Sequence, residues 1–423
     1  MKSGSRMRDN PVGTVSRRGL LRSAGVFAAA NVASGMKLDN DHGHDTHAPI
    51  LAYVGTYTGA PGAGGNGQGI YLFSLDPSTG VLTQVNVVST VPSPSWLAIA
   101  PNGKYLYAVN EISNFNGTTF GSVSAFSINR TTGGLTLLNV VSSQGAGPAF
   151  LSVDPLGQFV FVANYGGGTF AVLPIQLDGS LHDATDVQTD IGSVQAKGQT
   201  EPATDAPPGS FAFSGHDAPH AHMIQSDPSG KFVFGADLGQ DRIYSWLLNR
   251  TTGKLIANSP SFLSVPPGDG PRHFAFHPNG RTFYSLQEES STIIVYSYDA
   301  ASGVVAERQT LSTLPPGFVG TNFTSEIRVS HDGGFVYAAN RLHDTIAIFE
   351  VDQEGRLELA GEEWTRGDYP RSFTIDPTGN FLFSCNQRSD AITSYDVDGR
   401  GRKLRFTGRY TPVGSPAVIV FLT

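Results

Sequence analysis

A strand–turn–strand unit recurs along the sequence, and this repeat constrains the fold more than any other feature. Each copy has a short apolar segment, a turn with the pattern Pro/Asp-x-Gly, and a second apolar segment that ends in Asn or a related residue. The six copies have their turn glycines at Gly103, Gly157, Gly230, Gly280, Gly333 and Gly379. Strand repeats with a period of about 40 to 50 residues are typical of the blades of β-propellers.

A second strand–turn–strand unit alternates with the first, and its turn commonly has the pattern Asp/Asn-x-x-Thr-Gly. Its seven copies begin at or near Ile70, Val123, Phe170, Ile243, Ile293, Ile346 and Ile392. One unit of each kind supplies four strands, which is the content of one propeller blade.

The two ends of the chain account for the mismatch of six units against seven. Residues 52–57 resemble the second strand of a first unit that lacks its inner strand, and residues 415–421 resemble an inner strand without a successor. A solenoid or a β-sandwich would not explain two complementary half-units. We therefore predict an all-β fold, a seven-bladed β-propeller closed by pairing the N-terminal strands with the C-terminal strand. Such closure leaves few exposed strand edges.

The predicted propeller is a single domain that covers residues 50–423, although a chain of 423 residues could hold more. A stretch rich in Pro, Gly and Gln at about residues 187–215 predicts a surface insertion in the third full blade. The 50 glycines, 26 prolines and only 15% charged residues agree with a turn-rich all-β chain.

The N-terminal residues 1–34 resemble a twin-arginine export signal. Arg17 and Arg18 precede a mildly apolar segment of small residues at 23–33. This resemblance implies that the twin-arginine export machinery is a partner and that the protein is periplasmic or secreted. The alternative is a disordered basic tail. Cys385 is the only cysteine, so no disulfide can form within the chain, and we expect it to be a packed side chain rather than a nucleophile.

Residues 35–49 are predicted to form a flexible linker between the signal and the propeller. The linker contains His42, His44 and His47, a spacing that could bind a divalent metal, but its polar surroundings favour a mobile segment.

Charge and hydropathy exclude two classes of partner. The formal net charge is −8 and no long Lys/Arg block is present, which argues against nucleic acid and anionic membrane surfaces. The chain after the signal has no apolar run near the roughly 20 residues that a membrane span needs, so we expect no membrane contact after cleavage. We expect a monomer.

Each blade should bring the start of its inner strand and the end of its second strand to the same mouth of the central channel. Eight residues before the turn glycines stand Ser95, Ala149, His222, Arg272, Ser325 and Arg371. Seven residues after them stand Asn110, Asn164, Asp237, Gln287, Asn340 and Asn386, and one further on Glu111, Tyr165, Leu238, Glu288, Arg341 and Gln387. We interpret the amide series as structural, because short amides bond backbone where a strand gives way to a turn.

The later blades bring a set of different ionisable side chains to this region: His220, His222, Arg272, His273, Glu288, Glu326, Arg328, Arg341 and Arg371. A structural repeat alone does not demand such a set, and buried charges are costly without a partner or a purpose. We predict a functional site here; the alternative is a set of ion pairs that lock blades together.

This set favours one kind of chemistry. Arginines can hold a carboxylate or phosphate and stabilise an oxyanion, while Glu288 or His222 could transfer a proton. No Ser nucleophile elbow and no Cys-His signature is present, so attack by activated water is predicted rather than a covalent route.

Six motifs identify a family resemblance: LAYVGTYTG at Leu51, PHAHMIQSDPSG at Pro219, GPRHFAFHPNG at Gly270, SEIRVSHDG at Ser325, YAANR at Tyr337 and GSPAVIVF at Gly414. In these motifs the chain resembles the lactonase-type seven-bladed propellers, which include 6-phosphogluconolactonase and carboxy-cis,cis-muconate cyclase. The resemblance implies a lactonase whose site contains His220 or His222, Arg272, Glu288, and Arg341 or Arg328.

We therefore expect the hydrolysis of a sugar-type lactone at the channel mouth, without a metal or cofactor. The expected catalytic residues are His222, Arg272, Glu288 and Arg341. The expected substrate-binding residues are His220, His273, Arg328 and Arg371. Export favours an unphosphorylated aldonolactone or a lactone from aromatic breakdown over a phosphorylated sugar lactone. The alternatives are a lactonising cycloisomerase, a calcium-dependent lactonase and a non-enzymatic binding propeller.

Overall fold

The computed structural model describes residues 49–59, 64–189, 194, 197, 199–213, 215–398 and 401–423. These residues belong to one compact unit, His47–Thr423. The predicted export signal and linker lie outside the described residues, apart from residue 49. In the described part of the chain, no helix has the length and apolarity needed to cross a membrane.

The architecture is a ring of seven four-stranded antiparallel sheets. The chain enters on the second strand of the first blade, and the strands of the first three blades are β1 Ile50–Thr56, β2 Ile70–Asp76 and β3 Val81–Ser89; β4 Leu97–Ile99, β5 Tyr105–Asn110, β6 Ser122–Ile128 and β7 Leu135–Ser142; β8 Pro148–Val153, β9 Phe159–Asn164, β10 Thr169–Pro174 and β11 Asp186–Thr189.

Between the third and fourth blades lies β12 Ser210–Phe211, and between the fifth and sixth lies β21 Gly320–Thr321. These two short strands pair in parallel. The fourth and fifth blades consist of β13 Ala221–Ser226, β14 Phe232–Asp237, β15 Arg242–Asn249 and β16 Lys254–Ser264; β17 Pro271–Phe276, β18 Thr282–Gln287, β19 Thr292–Asp299 and β20 Val304–Ser312.

The last two blades and the C-terminal strand complete the ring. They consist of β22 Thr324–Val329, β23 Phe335–Asn340, β24 Thr345–Val351 and β25 Leu357–Trp364; β26 Pro370–Ile375, β27 Phe381–Asn386, β28 Ala391–Val397 and β29 Leu404–Pro412; and β30 Pro416–Leu422. Two short 3-10 helices occur at Phe115–Gly117 and Gln387–Ser389.

The C-terminal strand closes the ring as predicted. β30 pairs antiparallel with β1, from Leu51 opposite Leu422 to Thr56 opposite Pro416, and becomes the inner strand of the first blade. The prediction of a seven-bladed propeller closed in this way is confirmed. The predicted insertion begins later than expected, because Val187 still pairs within β11 of the third blade.

Buried tyrosines join successive blades through one recurring hydrogen bond. Each lies on the second strand of a blade and donates its hydroxyl to a glycine carbonyl in the outer turn of the next blade. The four pairs are Tyr53 with Gly133, Tyr107 with Gly179, Tyr284 with Gly355 and Tyr337 with Gly401, at 2.7 to 3.0 Å. Each bond satisfies a hydroxyl that would otherwise be buried without a partner.

Cys385 lies on β27 and is fully buried among apolar side chains. Burial raises the pKa of its thiol to about 12, so the thiolate is not populated near neutral pH. This agrees with the expectation of a packed side chain.

Candidate active site

One mouth of the channel is formed by the starts of the inner strands and the ends of the second strands; we call it the site mouth. Each blade contributes the residue that follows its second strand. These seven residues are Tyr57, Glu111, Tyr165, Leu238, Glu288, Arg341 and Gln387.

The inner strands begin with a break in register that the sequence does not reveal. In β13, β17 and β26 the register shifts around His222, Arg272 and Arg371, each the second residue of its strand. A β-bulge changes the direction of the side chain at the extra residue and often lies next to a functional site. Three of the expected site residues therefore occupy bulge positions.

Glu288 connects two arginines at the centre of the site mouth. Its Oε2 accepts a hydrogen bond of 2.6 Å from Nη1 of Arg272, and its Oε1 lies 2.5 Å from Nη2 of Arg341. All three side chains are buried. Burial alone would raise the pKa of Glu288, but the charges of Arg341 and Arg272 outweigh it and lower that pKa to about 2. Glu288 is therefore a carboxylate throughout the physiological range.

His222 contacts the same arginine and is neutral. Its Nε2 lies against Nη1 of Arg272, which can only donate, so we assign the imidazole proton to Nδ1. Burial, together with the charge of Arg272, holds the pKa of His222 well below 6.5. Nδ1 has no partner among the described residues, which leaves one N–H donor without an acceptor.

Arg272 is held in place by three contacts. Its Nη1 contacts Glu288 and His222. Its Nε donates a hydrogen bond of 2.8 Å to the carbonyl oxygen of Ser325 in the next blade. Burial lowers the pKa of Arg272 to about 10, and the neighbouring charge of Arg371 acts in the same direction. Arg272 still carries its charge at neutral pH.

A second polar group faces this cluster from the first two blades. Glu111 accepts hydrogen bonds from Ser95 Oγ at 2.5 Å and from the Tyr57 hydroxyl at 2.9 Å. The guanidinium of Arg371 lies over the Tyr57 ring, 5.6 Å from its centroid. Although burial disfavours the charged form, Tyr57 and Glu111 raise the pKa of Arg371.

Tyr369 belongs to the site mouth as well. Its hydroxyl accepts a 3.0 Å hydrogen bond from Nη1 of Arg341, which therefore bridges Tyr369 and Glu288. Tyr369, Tyr57 and Tyr165 were not among the predicted site residues. Tyr165 stands eight residues after its turn glycine, as Glu288 does, and this shared position could have indicated that Tyr165 lies at the site mouth. Tyr369 does not occupy such a position in the repeat.

His220 and His273 flank the cluster on two sides. His220 stacks on Tyr165 with ring centroids 4.3 Å apart, and its Nε2 lies 2.9 Å from Asp217. His273 lies against Trp96 and Phe150, with centroid distances of 5.3 Å to each. Burial lowers the pKa of His273 to about 4, so its imidazole is neutral.

Among the described residues, Arg328 forms no hydrogen bond or ion pair with Glu288, Arg272 or Arg341, and its substrate-binding role stays a prediction. Its Nε is 3.3 Å from Glu326, and its side chain lines a cavity of about 800 Å³ together with Gln225 and Pro278. These residues lie toward the ends of the inner strands, at the mouth opposite the site mouth. Arg328 is the fifth residue of β22, whereas Arg272 is the second residue of β17, so the two residues lie at different depths along the channel. Of the two alternatives, the structure brings Arg341 to the cluster.

The amides at the ends of the second strands bond their own surroundings. Asn110 donates to Ser122 at 2.9 Å, Asn164 to the carbonyl of Ser143 at 2.8 Å and Asn386 to that of Thr365 at 3.2 Å. This agrees with the structural interpretation. Among the described residues, no group of three or more His, Cys, Asp or Glu side chains is arranged to hold a metal ion. The histidines at 42, 44 and 47 lie outside the described residues.

Comparison with known proteins identifies the family. The sequence profile described as "Lactonase, 7-bladed beta-propeller" matches residues 51–421. This chain belongs to that family. The 6-phosphogluconolactonase of Bacillus subtilis (strain 168) is 35% identical over 329 residues, which are 78% of this chain and 85% of the relative. The 6-phosphogluconolactonase of Formosa agariphila is 30% identical over 331 residues, 77% of this chain and 86% of the relative.

The chain is also similar to proteins of known structure. The periplasmic gluconolactonase of Pseudomonas aeruginosa superposes with a TM-score of 0.77 at 28% identity, covering 89% of this chain and 99% of that chain. A protein from Lactobacillus plantarum superposes with the same TM-score at 30% identity, covering 89% and 100%. At the level of the lactonase family, these likenesses support hydrolysis of a sugar lactone.

Proposed function

We propose that this protein hydrolyses a sugar-type lactone with water at the site mouth. The observation that carries the proposal is the pair of buried arginines, Arg272 and Arg341, on the single carboxylate of Glu288, with neutral His222 in contact. The relatives named 6-phosphogluconolactonase and gluconolactonase support the reaction class.

The charge of the site suits an anionic group or a developing oxyanion. Arg272, Arg341 and Arg371 bring three positive charges, and Glu288 and Glu111 bring two negative ones, so these five side chains together carry a net charge of +1. Arg272 and Arg341 would bind the acid group or the oxyanion of the tetrahedral intermediate, where buried donors are most effective. Arg371 and His220 would contact the rest of the substrate.

The neutral imidazole of His222 provides the donor that such an oxyanion needs. Its Nδ1–H has no acceptor among the described residues and would donate to the oxyanion or to the departing ring oxygen. Glu288 would hold the two arginines in the orientation that binds substrate. The expectation that Glu288 and His222 share the proton transfers stays a prediction, although the low pKa values of both groups make each a weak proton acceptor at neutral pH.

We propose that the substrate is an unphosphorylated aldonolactone or a lactone from aromatic breakdown, met outside the cytoplasm by a monomeric, periplasmic or secreted enzyme. The proposal depends on the paired residues Arg17 and Arg18, which would direct the chain to the twin-arginine machinery. A phosphorylated pentose-pathway lactone would not be available there.

The proposal is tested by a pH-indicator assay of the purified exported protein against a panel of aldonolactones, with spontaneous hydrolysis subtracted. Arg272→Ala and Glu288→Gln are measured beside it, and Arg356→Ala is the matched control, because Arg356 is exposed on an outer turn. We expect acid release by the native protein and the control, and its loss in both site variants. No turnover on any lactone would contradict hydrolysis. If analysis of the products shows an isomer of the substrate with no water added, the protein is a cycloisomerase.

A further inference from the structure

Tyr369 has an uncommon backbone conformation at the site mouth. Its φ angle is +64°, in the left-handed region that residues other than glycine rarely adopt. Its N–H donates a hydrogen bond of 2.9 Å to Oδ1 of Asp344, and its carbonyl oxygen accepts a hydrogen bond of 3.0 Å from the N–H of Gln387. Bonds from two neighbouring segments therefore hold this conformation, just before β26 begins at Pro370. Such conformations are concentrated at functional sites.

The surroundings of the Tyr369 side chain are rich in cations. The hydroxyl accepts from Nη1 of Arg341 at 3.0 Å, and the guanidinium of Arg388 lies over the ring, 3.8 Å from its centroid. In the described part of the chain the hydroxyl has no acceptor for its own proton. The charged groups around it are Arg341, Arg371, Arg272 and Arg388 on the positive side, and Glu288, Asp344 and Asp368 on the negative side.

These charges favour the phenolate of Tyr369. Burial by itself raises the pKa of the phenol, but Arg341 and Arg371 outweigh it and hold the pKa below its usual value of 10.0. The two other tyrosines at this mouth behave in the opposite way, because burial raises the pKa values of Tyr57 and Tyr165. Tyr369 is thus set apart from them by its neighbours.

Lactone hydrolysis needs a group that accepts a proton from water, and the two expected acceptors are poorly suited to it. Glu288 is engaged by two arginines, and Nε2 of His222 is engaged by Arg272. We propose that Tyr369 is a catalytic residue of this site: its phenolate takes the proton of the attacking water and later returns it to the ring oxygen of the lactone. This inference rests on the proposed lactonase function.

The proposed step is balanced in atoms and electrons. The water oxygen forms a bond to the lactone carbonyl carbon as the phenolate of Tyr369 takes one water proton, and the carbonyl electron pair becomes the oxyanion held by the arginines. Collapse of the oxyanion breaks the bond between the carbonyl carbon and the ring oxygen. The phenol gives its proton to that oxygen, which becomes the product hydroxyl. One water is consumed and the phenolate is regenerated.

The first experiment compares the native protein, Tyr369→Phe and the control Tyr410→Phe, which removes the hydroxyl of an exposed tyrosine on β29. Tyrosinate absorbance is followed as the pH rises, and kcat and KM for a hydrolysed aldonolactone are measured over the same range. In the native protein and in the control, we expect one tyrosine to ionise at a lower pH than tyrosines usually do. In Tyr369→Phe we expect this ionisation to be absent. We expect kcat of Tyr369→Phe to fall about 100-fold or more with little change in KM, and the control to match the native enzyme.

The second experiment separates proton transfer from a role in positioning Arg341. Difluorotyrosine, whose phenol is more acidic, is incorporated at position 369. If Tyr369 accepts the proton, the rising limb of the plot of kcat against pH moves to lower pH. If Tyr369 only positions Arg341, that limb stays in place, and this result would overturn the proposal. Native turnover by Tyr369→Phe would overturn it too while leaving the lactonase intact. Absence of turnover by the native protein would overturn both the lactonase function and the catalytic role of Tyr369. The absorbance titration would still show the ionisation of Tyr369.

Discussion

Glu288 and Arg341 lie on successive blades, and their buried side chains meet at the site mouth with Oε1 2.5 Å from Nη2. The same carboxylate receives Arg272 on its other oxygen. One ionised carboxylate therefore sets the positions of two arginines that come from different parts of the chain. In a buried site, such pairing is what allows each group to keep its charge.

Acid should destabilise this arrangement over a defined range. The pKa of Glu288 is lowered from 4.5 to about 2 in the folded protein, so its contribution to stability is full above about pH 4.5 and is lost as the pH falls toward 2. The shift corresponds to something on the order of 3 kcal/mol. We expect the unfolding free energy of Glu288→Gln to vary less over this range than that of the native protein, as measured by denaturant titration. Glu362→Gln, at a partly exposed pair, is the control; equal acid dependence in all three proteins would contradict the prediction.

Replacing Arg272 by lysine should impair catalysis even though the charge is kept. Arg272 contacts Ser325 through Nε and contacts both Glu288 and His222 through Nη1, and the single nitrogen of an ammonium group cannot occupy both positions. We expect kcat/KM of Arg272→Lys to fall about 100-fold, the scale for loss of one oxyanion donor. Arg356→Lys serves as the control. Near-native activity in Arg272→Lys would show that charge alone suffices.

A buried charge cluster outside the site should depend on His216. Its Nε2 lies 3.1 Å from Asp241 and its Nδ1 3.0 Å from Glu289. Burial lowers the pKa of His216, but the bonds to the two carboxylates outweigh it and raise that pKa to about 10. The stabilisation is therefore full below pH 6.5 and is lost as the pH rises through 10.

We expect His216→Gln to lose about 3 to 5 kcal/mol of unfolding free energy at pH 6, because two buried carboxylates lose their cation. The difference from the native protein should shrink toward pH 10 in denaturant titrations. His343→Gln, at the partly exposed pair with Glu362, should change stability by less than about 1 kcal/mol. A difference at His216 that does not change with pH would refute the assignment of its charge.

Ring closure should require the C-terminal strand. Removal of residues 416–423 leaves the β1 edge unpaired and exposes apolar side chains that Val418 and Ile419 now cover. We expect this truncated chain to aggregate or to unfold at a much lower temperature, as seen by size-exclusion chromatography and thermal unfolding. A chain that lacks only the exposed Thr423 should behave as the native protein does. A monomeric truncated chain with native melting would contradict closure through β30.

Export should depend on the paired arginines. Arg17→Lys combined with Arg18→Lys is expected to keep the full chain in the cytoplasm, since the twin-arginine pathway recognises this pair. Cell fractionation and immunoblotting measure the distribution, with Arg22→Lys as the control in the same segment. Unchanged export of the double variant would point to another route.

The turn glycines were enough to predict which side chains of the candidate site lie at one mouth. They placed Arg272, Glu288, Arg341 and Arg371 at one mouth, because every blade repeats the same strand lengths around the same turn. The family resemblance left open whether Arg341 or Arg328 belongs to the site, since both come from the sixth blade. That distinction depends on depth along β22, where Arg328 lies near the opposite mouth. Tyr369 was not predicted, because it lies in a loop whose left-handed backbone is set by Asp344 and Gln387.

The all-β class, the number of blades and the closure of the ring were predictable from the order of the residues alone. These follow from local patterns, because alternating apolar residues and turn glycines recur at a regular period whatever lies across the channel. The charge states and partners of the site residues, in contrast, became known from the folded arrangement. Those depend on bulges that redirect His222, Arg272 and Arg371, and on distances between blades far apart in the chain. A carboxylate of pKa about 2 and a neutral buried histidine arise only when burial and neighbouring charges act on the same few atoms.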